Sequence, residues 1–194
     1  AHLRSLVSNL NNTSTPSRSA EARIAHTKRR PDRLWCVRLR AVTVLGALIL
    51  GLCCWPFVEY AVHGWLSHGR WFPWIVRMHF SHHADPRRAY TPATAWVPAA
   101  LVLFGALVLP LGAANAVAFV TGLVLGFRRY ESVHFAIHYR APRNARELRR
   151  WQHHLAHHVC NSRAYFGVTH RFTDRLFGTL PANYRDDYAR VSAR

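Results

Sequence analysis

The stretch from Thr91 to Phe127 reads TPATAWVPAALVLFGALVLPLGAANAVAFVTGLVLGF and contains no Asp, Glu, Lys or Arg. An uncharged run of this length exceeds one ordinary core helix and suits two bilayer crossings joined by a tight turn. Pro110-Leu111-Gly112-Ala113-Ala114 supplies the turn residues. The first arm, Thr94 to Leu109, is short for a full crossing, whereas the second, Ala114 to His138, is ample. A further apolar run, Ala41 to Val62, contains Pro56 and makes another membrane segment. A buried hairpin of a soluble protein is the competing reading, and the length of the run argues against it. The expected fold is all-α, an integral membrane helical bundle.

Charge gathers around these apolar runs. The chain has 194 residues, one domain by length, with 26 Lys and Arg against 9 Asp and Glu, a formal net charge of +17. The basic residues concentrate at 18–40, 70–88 and 128–150. A membrane protein marks its cytoplasmic side and meets anionic headgroups in this way. Nucleic acid is excluded as a partner, because no aromatic-basic recognition motif or zinc-finger spacing accompanies the charge. Trp65, Trp71, Trp74 and Trp96 lie near the segment boundaries, where an interfacial belt would sit. Cys36, Cys53, Cys54 and Cys160 show no disulfide framework, and Cys160 reads as a plain buried thiol.

Residues 1–36 are polar and then basic, without the apolar core of a signal peptide, and are expected to form a flexible arm. Residues 37–194 form the membrane domain. Segment 69–90 and the C-terminal third are both basic and belong on one face, which a returning hairpin allows. The arm is basic too, so either residues 41–62 fold back near Pro56 or the arm lies on the opposite side.

Ten of the fourteen histidines fall into four clusters: His63 and His68; His79, His82 and His83; His134 and His138; His154, His157 and His158. Two clusters repeat the spacing H-x-x-H-H. Helical residues three and four apart share a face, so each triplet is expected to converge on one point. His63 and His68 are five apart, and a helix end or local break near Gly64 is expected to bring both to the site. Imidazole is the commonest neutral metal ligand, and ten of them suit two metals with about five ligands each. Structural zinc prefers four ligands and has no redox chemistry, whereas an iron pair can activate O₂. A membrane-embedded site of this kind points to oxygen insertion into a C–H bond of a lipid chain. No dinucleotide fingerprint or haem module is visible, so the electrons are expected from outside. Glu59 and Glu131, each just before a histidine pair, are expected to orient histidines through the second ring nitrogen. A salt bridge to Arg128 or Arg129 is the alternative role for Glu131. Asp85 and Asp174 are weaker candidates, and His2, His26, His153 and His170 are left outside the site.

The order H-x4-H, H-x-x-H-H, H-x3-H, H-x-x-H-H resembles the fatty acid hydroxylase superfamily of membrane di-iron enzymes. Trp55-Pro56-Phe57-Val58-Glu59-Tyr60 is similar to the approach to the first pair in bacterial members. Tyr165-Phe166-Gly167-Val168-Thr169 and Asp174-Arg175-Leu176-Phe177-Gly178-Thr179 resemble the family's C-terminal signature. The match runs from about residue 55 to 181. It implies a cytoplasmic helical cap carrying a dimetal site, with the ten clustered histidines as ligands to two Fe ions that zinc can replace on purification. It implies O₂ as co-substrate and a cytochrome b5-like protein or a ferredoxin with its reductase as electron donor. With no fused cytochrome b5 domain, reduction is expected in trans. Fatty acid 2-hydroxylases fit best, so hydroxylation of a fatty acyl chain at C2 in a bacterial inner membrane is the expectation. A carotenoid or sterol hydroxylase or desaturase on the same scaffold is the nearest alternative, and a membrane metal-binding or transport protein is a more distant one. Relatives of this type generally place a helical hairpin before the first cluster, and here a single apolar segment is evident.

Overall fold

The computed structural model describes residues 33–194, and among these every regular element is helical. Among the described residues, the contacts divide at Ala41, into 33–41 and 42–194. Most of the proposed N-terminal arm, including His2 and His26, lies outside the described residues. Arg33 to Cys36 are helical rather than arm. They open helix α1, Arg33–Tyr60, which passes through Pro56 without folding back. The fold-back at Pro56 is thereby excluded. Proline removes one amide bond in a helix interior, and here the ladder resumes within a turn.

Beyond Tyr60 the same rod continues as a π-helical stretch, Ala61–Ser67, and then breaks at His68. Helix α2 is Pro73–Ala84, opened by its own proline. A 3-10 turn, Pro86–Arg88, follows, with the Asp85 carboxylate accepting from the Arg87 amide. The uncharged hairpin appears as α3, Ala93–Leu111, and α4, Ala113–Tyr139, with Gly112 alone between them at φ 75°. Only glycine adopts that φ cheaply, which explains so short a turn. Helix α5, Ala145–Val159, starts at Asn144, whose side chain accepts from the amides of Arg146 and Glu147. Residues from Asn161 on are mostly irregular backbone. They include two short helices, α6, Phe172–Leu176, and α7, Tyr184–Ser192.

Two stretches are long and apolar enough to cross a bilayer, Arg33–Ser67 and Pro86–Leu111, with 18-residue windows of mean hydropathy 2.2 and 2.0. Other protein buries only 6% and 0% of those windows, which rules out core helices of a soluble protein. Leu101, Val102 and Leu109 stand open on α3 as lipid-facing residues would. The chain is an integral membrane protein. Helix α4 fails the same test because Arg128, Arg129 and Glu131 charge its last third. Its apolar part packs backbone to backbone against α1, where a Cβ on Gly122 would lie 2.2 Å from the Leu48 carbonyl oxygen. One on Gly51 would lie 2.1 Å from that of Phe119. Small residues permit this close approach between membrane helices. A second core, outside the hairpin, joins Ala156 of α5, Tyr165, and Tyr188 and Val191 of α7.

Candidate metal centre

The π-helical stretch resolves the five-residue spacing of His63 and His68. In a π-helix the repeat is i to i+5, so residues five apart return to one side. Gly64 leaves room there for the Phe166 ring, 3.0 Å from where its Cβ would stand.

All ten clustered histidines gather at one end of the bundle, in two adjacent groups. The first comprises His82, His134, His138, His154 and His158, with ligand nitrogens within 4.8 Å of one another. The second comprises His63, His68, His79 and His157 by the same measure. His83 joins the second, its Nε2 standing 2.9 Å from that of His79 and 3.0 Å from that of His157. Its ring stacks on His158 of the first group at 4.2 Å, forming the seam.

This corrects the expectation that each H-x-x-H-H triplet converges on one point. At about 100° per residue, i+3 falls to one side of i and i+4 to the other, roughly 100° apart. The pair i and i+4 therefore stays together and i+3 faces elsewhere. His79 and His83 serve the second group while His82 crosses to the first. His154 and His158 serve the first while His157 crosses to the second. Each group thus has one i,i+4 pair, one pair from a long helix, and the middle histidine of the other motif.

The donor chemistry asks for a cation in each group. His63 Nδ1 donates to the Phe166 carbonyl at 2.6 Å and His157 Nδ1 to that of Ala164 at 2.7 Å. A carbonyl only accepts, so both protons sit on Nδ1 and both Nε2 atoms present lone pairs. Those Nε2 atoms are 3.1 Å apart, too close for two bare acceptors. In the first group His134 Nδ1 donates to the Ala89 carbonyl at 3.2 Å, aiming the Nε2 lone pair toward His82 at 3.1 Å. Burial, reinforced by the neighbouring imidazoles, pushes His82 down to about 3 and His158 down to about 2, and holds His154 and His157 well below the usual range. The cap imidazoles are neutral at physiological pH, the form that binds metal.

The expected carboxylate partners are absent. Glu59 accepts from the Trp55 indole at 3.1 Å, from the Thr169 amide at 2.8 Å, and from the Thr169 hydroxyl. Glu131 accepts from the Thr91 amide at 3.1 Å and from Arg128 at 2.5 Å. Neither touches a histidine, because each side chain leaves its helix on the side of a neighbouring loop. Asp85 caps its turn. Asp174 bonds His153, which lies outside both groups as expected. The His170 ring lies outside both groups, against the Thr169 hydroxyl and the Phe172 ring. Cys160 is half-buried and belongs to neither group. Backbone carbonyls do the orienting instead, and no residue-type pattern marks these. The one sequence cue was the signature from Tyr165 to Thr169, which supplies the Phe166 carbonyl.

A cavity of 380 Å³ opens between α1, α2, α3 and α4, within the roughly 300–1,000 Å³ of small-molecule sites. Val58, Val62, Met78, Leu103 and Leu123 contribute to an overwhelmingly apolar wall. Its lining includes His63 and His79 of one group and His82 and His134 of the other. A second cleft, of 230 Å³, includes Arg129, Arg140 and Arg150 among its walls.

The profile of the fatty acid hydroxylase family matches residues 48–179. The ceramide very long chain fatty acid hydroxylase scs7 of Schizosaccharomyces pombe is 31% identical over 157 residues, 74% of this chain and 45% of the relative. The fatty acid 2-hydroxylase of Mus musculus is 31% identical over 155 residues, 70% of this chain and 40% of the relative. The solved structure of full-length scs7p, in which only the hydroxylase domain is visible, superposes with a TM-score of 0.63 at 28% identity. It covers 71% of this chain and 56% of that one. The chain spans less than two thirds of the length of these relatives.

Proposed function

Because the chain belongs to the fatty acid hydroxylase family, we propose that it is a membrane di-iron oxygenase that hydroxylates a fatty acyl chain at C2. The observation that carries this reading is the apolar cavity whose lining includes histidines of both groups. A storage or transport protein needs ligands, but not an apolar space beside both sets of them.

In this reading His82, His134, His138, His154 and His158 hold one iron, and His63, His68, His79, His83 and His157 hold the other. When bound, the iron pair supplies the O₂ chemistry, in which one oxygen atom enters the C–H bond and the other leaves as water, with two electrons and two protons consumed. Zinc in the same sites would carry no redox chemistry. The protein's own work is positional. Val62, Leu66, Leu103 and Leu123 exclude water from the chain and keep it extended toward the histidines. The Phe166, Ala164 and Ala89 carbonyls keep the Nε2 lone pairs of His63, His157 and His134 aimed inward.

Electrons come from an external donor, either a cytochrome b5-like protein or a ferredoxin with its reductase. The cleft beside the helices that carry His134, His138 and His154 has Arg129 and Arg150 in its walls, with Arg140 already paired to Glu147, and its net positive charge suits an acidic donor surface. The basic segments flanking the apolar helices support a cytoplasmic orientation of the histidine groups.

The test is the full chain in iron-supplemented membranes, given a long-chain fatty acyl substrate under ¹⁸O₂ with a reduced ferredoxin system. The expected product is a 2-hydroxy fatty acid carrying one ¹⁸O, absent in the His82→Ala variant. Metal-loaded protein that yields no hydroxylated lipid from any acyl substrate, with reduction demonstrated, would overturn the reading.

A further inference from the structure

The two histidine groups mirror each other in their ligands but not in their support. The segment 164–169 is irregular backbone, yet every residue in it is buried. Two of its carbonyls, those of Ala164 and Phe166, hold His157 and His63, both in the second group. Tyr165 between them has φ 61°, the one positive φ outside glycine among the described residues. A side chain in that region is strained and persists only where its surroundings enforce it.

The enforcement centres on Asp174, which is fully buried. One oxygen accepts from the Phe166 amide and the Thr179 hydroxyl, both at 2.7 Å. The other accepts from the Gly167 amide at 2.8 Å and from His153 Nε2 at 2.9 Å. His153 is itself fixed by the Tyr188 hydroxyl at 2.6 Å. Gly167 is required here, since a Cβ would stand 2.8 Å from the Asp174 carboxylate and 2.2 Å from the His170 carbonyl oxygen. The first group has no such clamp. Its His134 has the Ala89 carbonyl, while the Nδ1 atoms of His82 and His154 are buried with no hydrogen-bond partner among the described residues.

We propose that Asp174, buttressed by His153, is a positioning residue for the metal site of the second group and not for that of the first, so that the two sites bind metal inequivalently. The carboxylate fixes the 166–167 amides, and the carbonyls around them hold His63 and His157 as Nδ1–H tautomers with Nε2 aimed at the metal. This rests on the dimetal reading but not on the reaction. Support around a liganding histidine typically governs about 10–100-fold in metal affinity.

The experiment titrates cobalt(II) into the metal-free full chain in detergent, reading equivalents bound and the visible ligand-field bands. The wild type should take up two equivalents, and a wild type that takes up none would remove the dimetal reading itself. Asp174→Asn keeps the size but replaces one acceptor oxygen with a donor. It should weaken one equivalent at least about tenfold and leave the other unchanged. Combined with His157→Ala it should add nothing, because both act on the second site. Combined with His154→Ala it should weaken both equivalents. If Asp174→Asn fails to fold, His153→Gln replaces it, and the same selective loss is expected. Equal weakening of both equivalents, or unchanged binding in a folded variant, would overturn the proposal.

Discussion

Replacing Glu59 with Ala separates structural from metal-orienting carboxylates. Glu59 is 3% exposed and its two oxygens accept three donors, two of them from Thr169 across a separation of 110 residues. The alanine variant leaves the buried Thr169 amide with no acceptor, which costs about 1–3 kcal/mol. The Thr169 hydroxyl can turn toward His170, and the partly buried Trp55 indole adds about 1 kcal/mol or less. The sum is about 1–4 kcal/mol, and with ~2–4 °C per kcal/mol for a domain of this size the melting temperature should fall by roughly 2–16 °C. The assay is thermal unfolding of the full chain in detergent at one fixed scan rate, because membrane proteins often unfold irreversibly. It is run on metal-free and metal-loaded protein. Since Glu59 touches no histidine, the drop should appear in both forms at similar size. Glu59→Gln, which retains one acceptor, should cost about half as much. An unchanged metal-free melt, with loss confined to the loaded form, would refute this reasoning and restore Glu59 as a histidine-orienting group.

The exchange of middle histidines predicts that His82→Ala and His154→Ala weaken the same metal equivalent although they lie on different helices. His79→Ala should weaken the other, and metal titration of the three variants decides it. Leu103→Trp should fill the apolar cavity and lower kcat/KM on long acyl chains about tenfold or more, as overpacking by 1–3 kcal/mol implies, with metal content unchanged. Loss of metal in that variant would separate the cavity from the role given to it. Burial lowers His82 to about 3 and His158 to about 2, below the ~6.5 of an unfolded chain. The unfolded state therefore binds more protons between those limits, and the metal-free chain should lose thermal stability as pH falls below about 6.5. A melt unchanged between pH 7 and pH 5 would contradict the buried, neutral state of these imidazoles.

The fold was legible wherever local patterning decides it. The uncharged run gave the hairpin, and Gly112 fell within the five residues read as its turn. The His63 and His68 spacing required a helix irregularity near Gly64, and the π-helical stretch supplies it. What sequence spacing could not resolve is which of several same-face residues points to which centre. An angular difference of about 100° between i+3 and i+4 is small on a helical wheel and decisive between two adjacent sites. Of the two roles the sequence allowed Glu131, the structure shows the salt bridge to Arg128 and not the orienting of a histidine, and Glu59 likewise orients none, for a related reason. Proximity along a helix places a carboxylate near a histidine, but the loop packed against it takes the hydrogen bond first, as Thr169 and Thr91 do. The orienting carbonyls were invisible because every residue has one.

The shared helices also bear on how the two sites act. One turn of α2 carries His79, His82 and His83, and one turn of α5 carries His154, His157 and His158, so each helix reaches both groups. A displacement of either helix would shift ligands of both groups together, and the two groups meet directly where His83 stacks on His158. The apolar cavity follows the same division, touching His63 and His79 on one side and His82 and His134 on the other. A chain lying in it would therefore meet histidines of both groups instead of one group alone. The proposed reaction, which draws on both metals, uses a cavity shared in this way, whereas two independent storage sites would have no use for it.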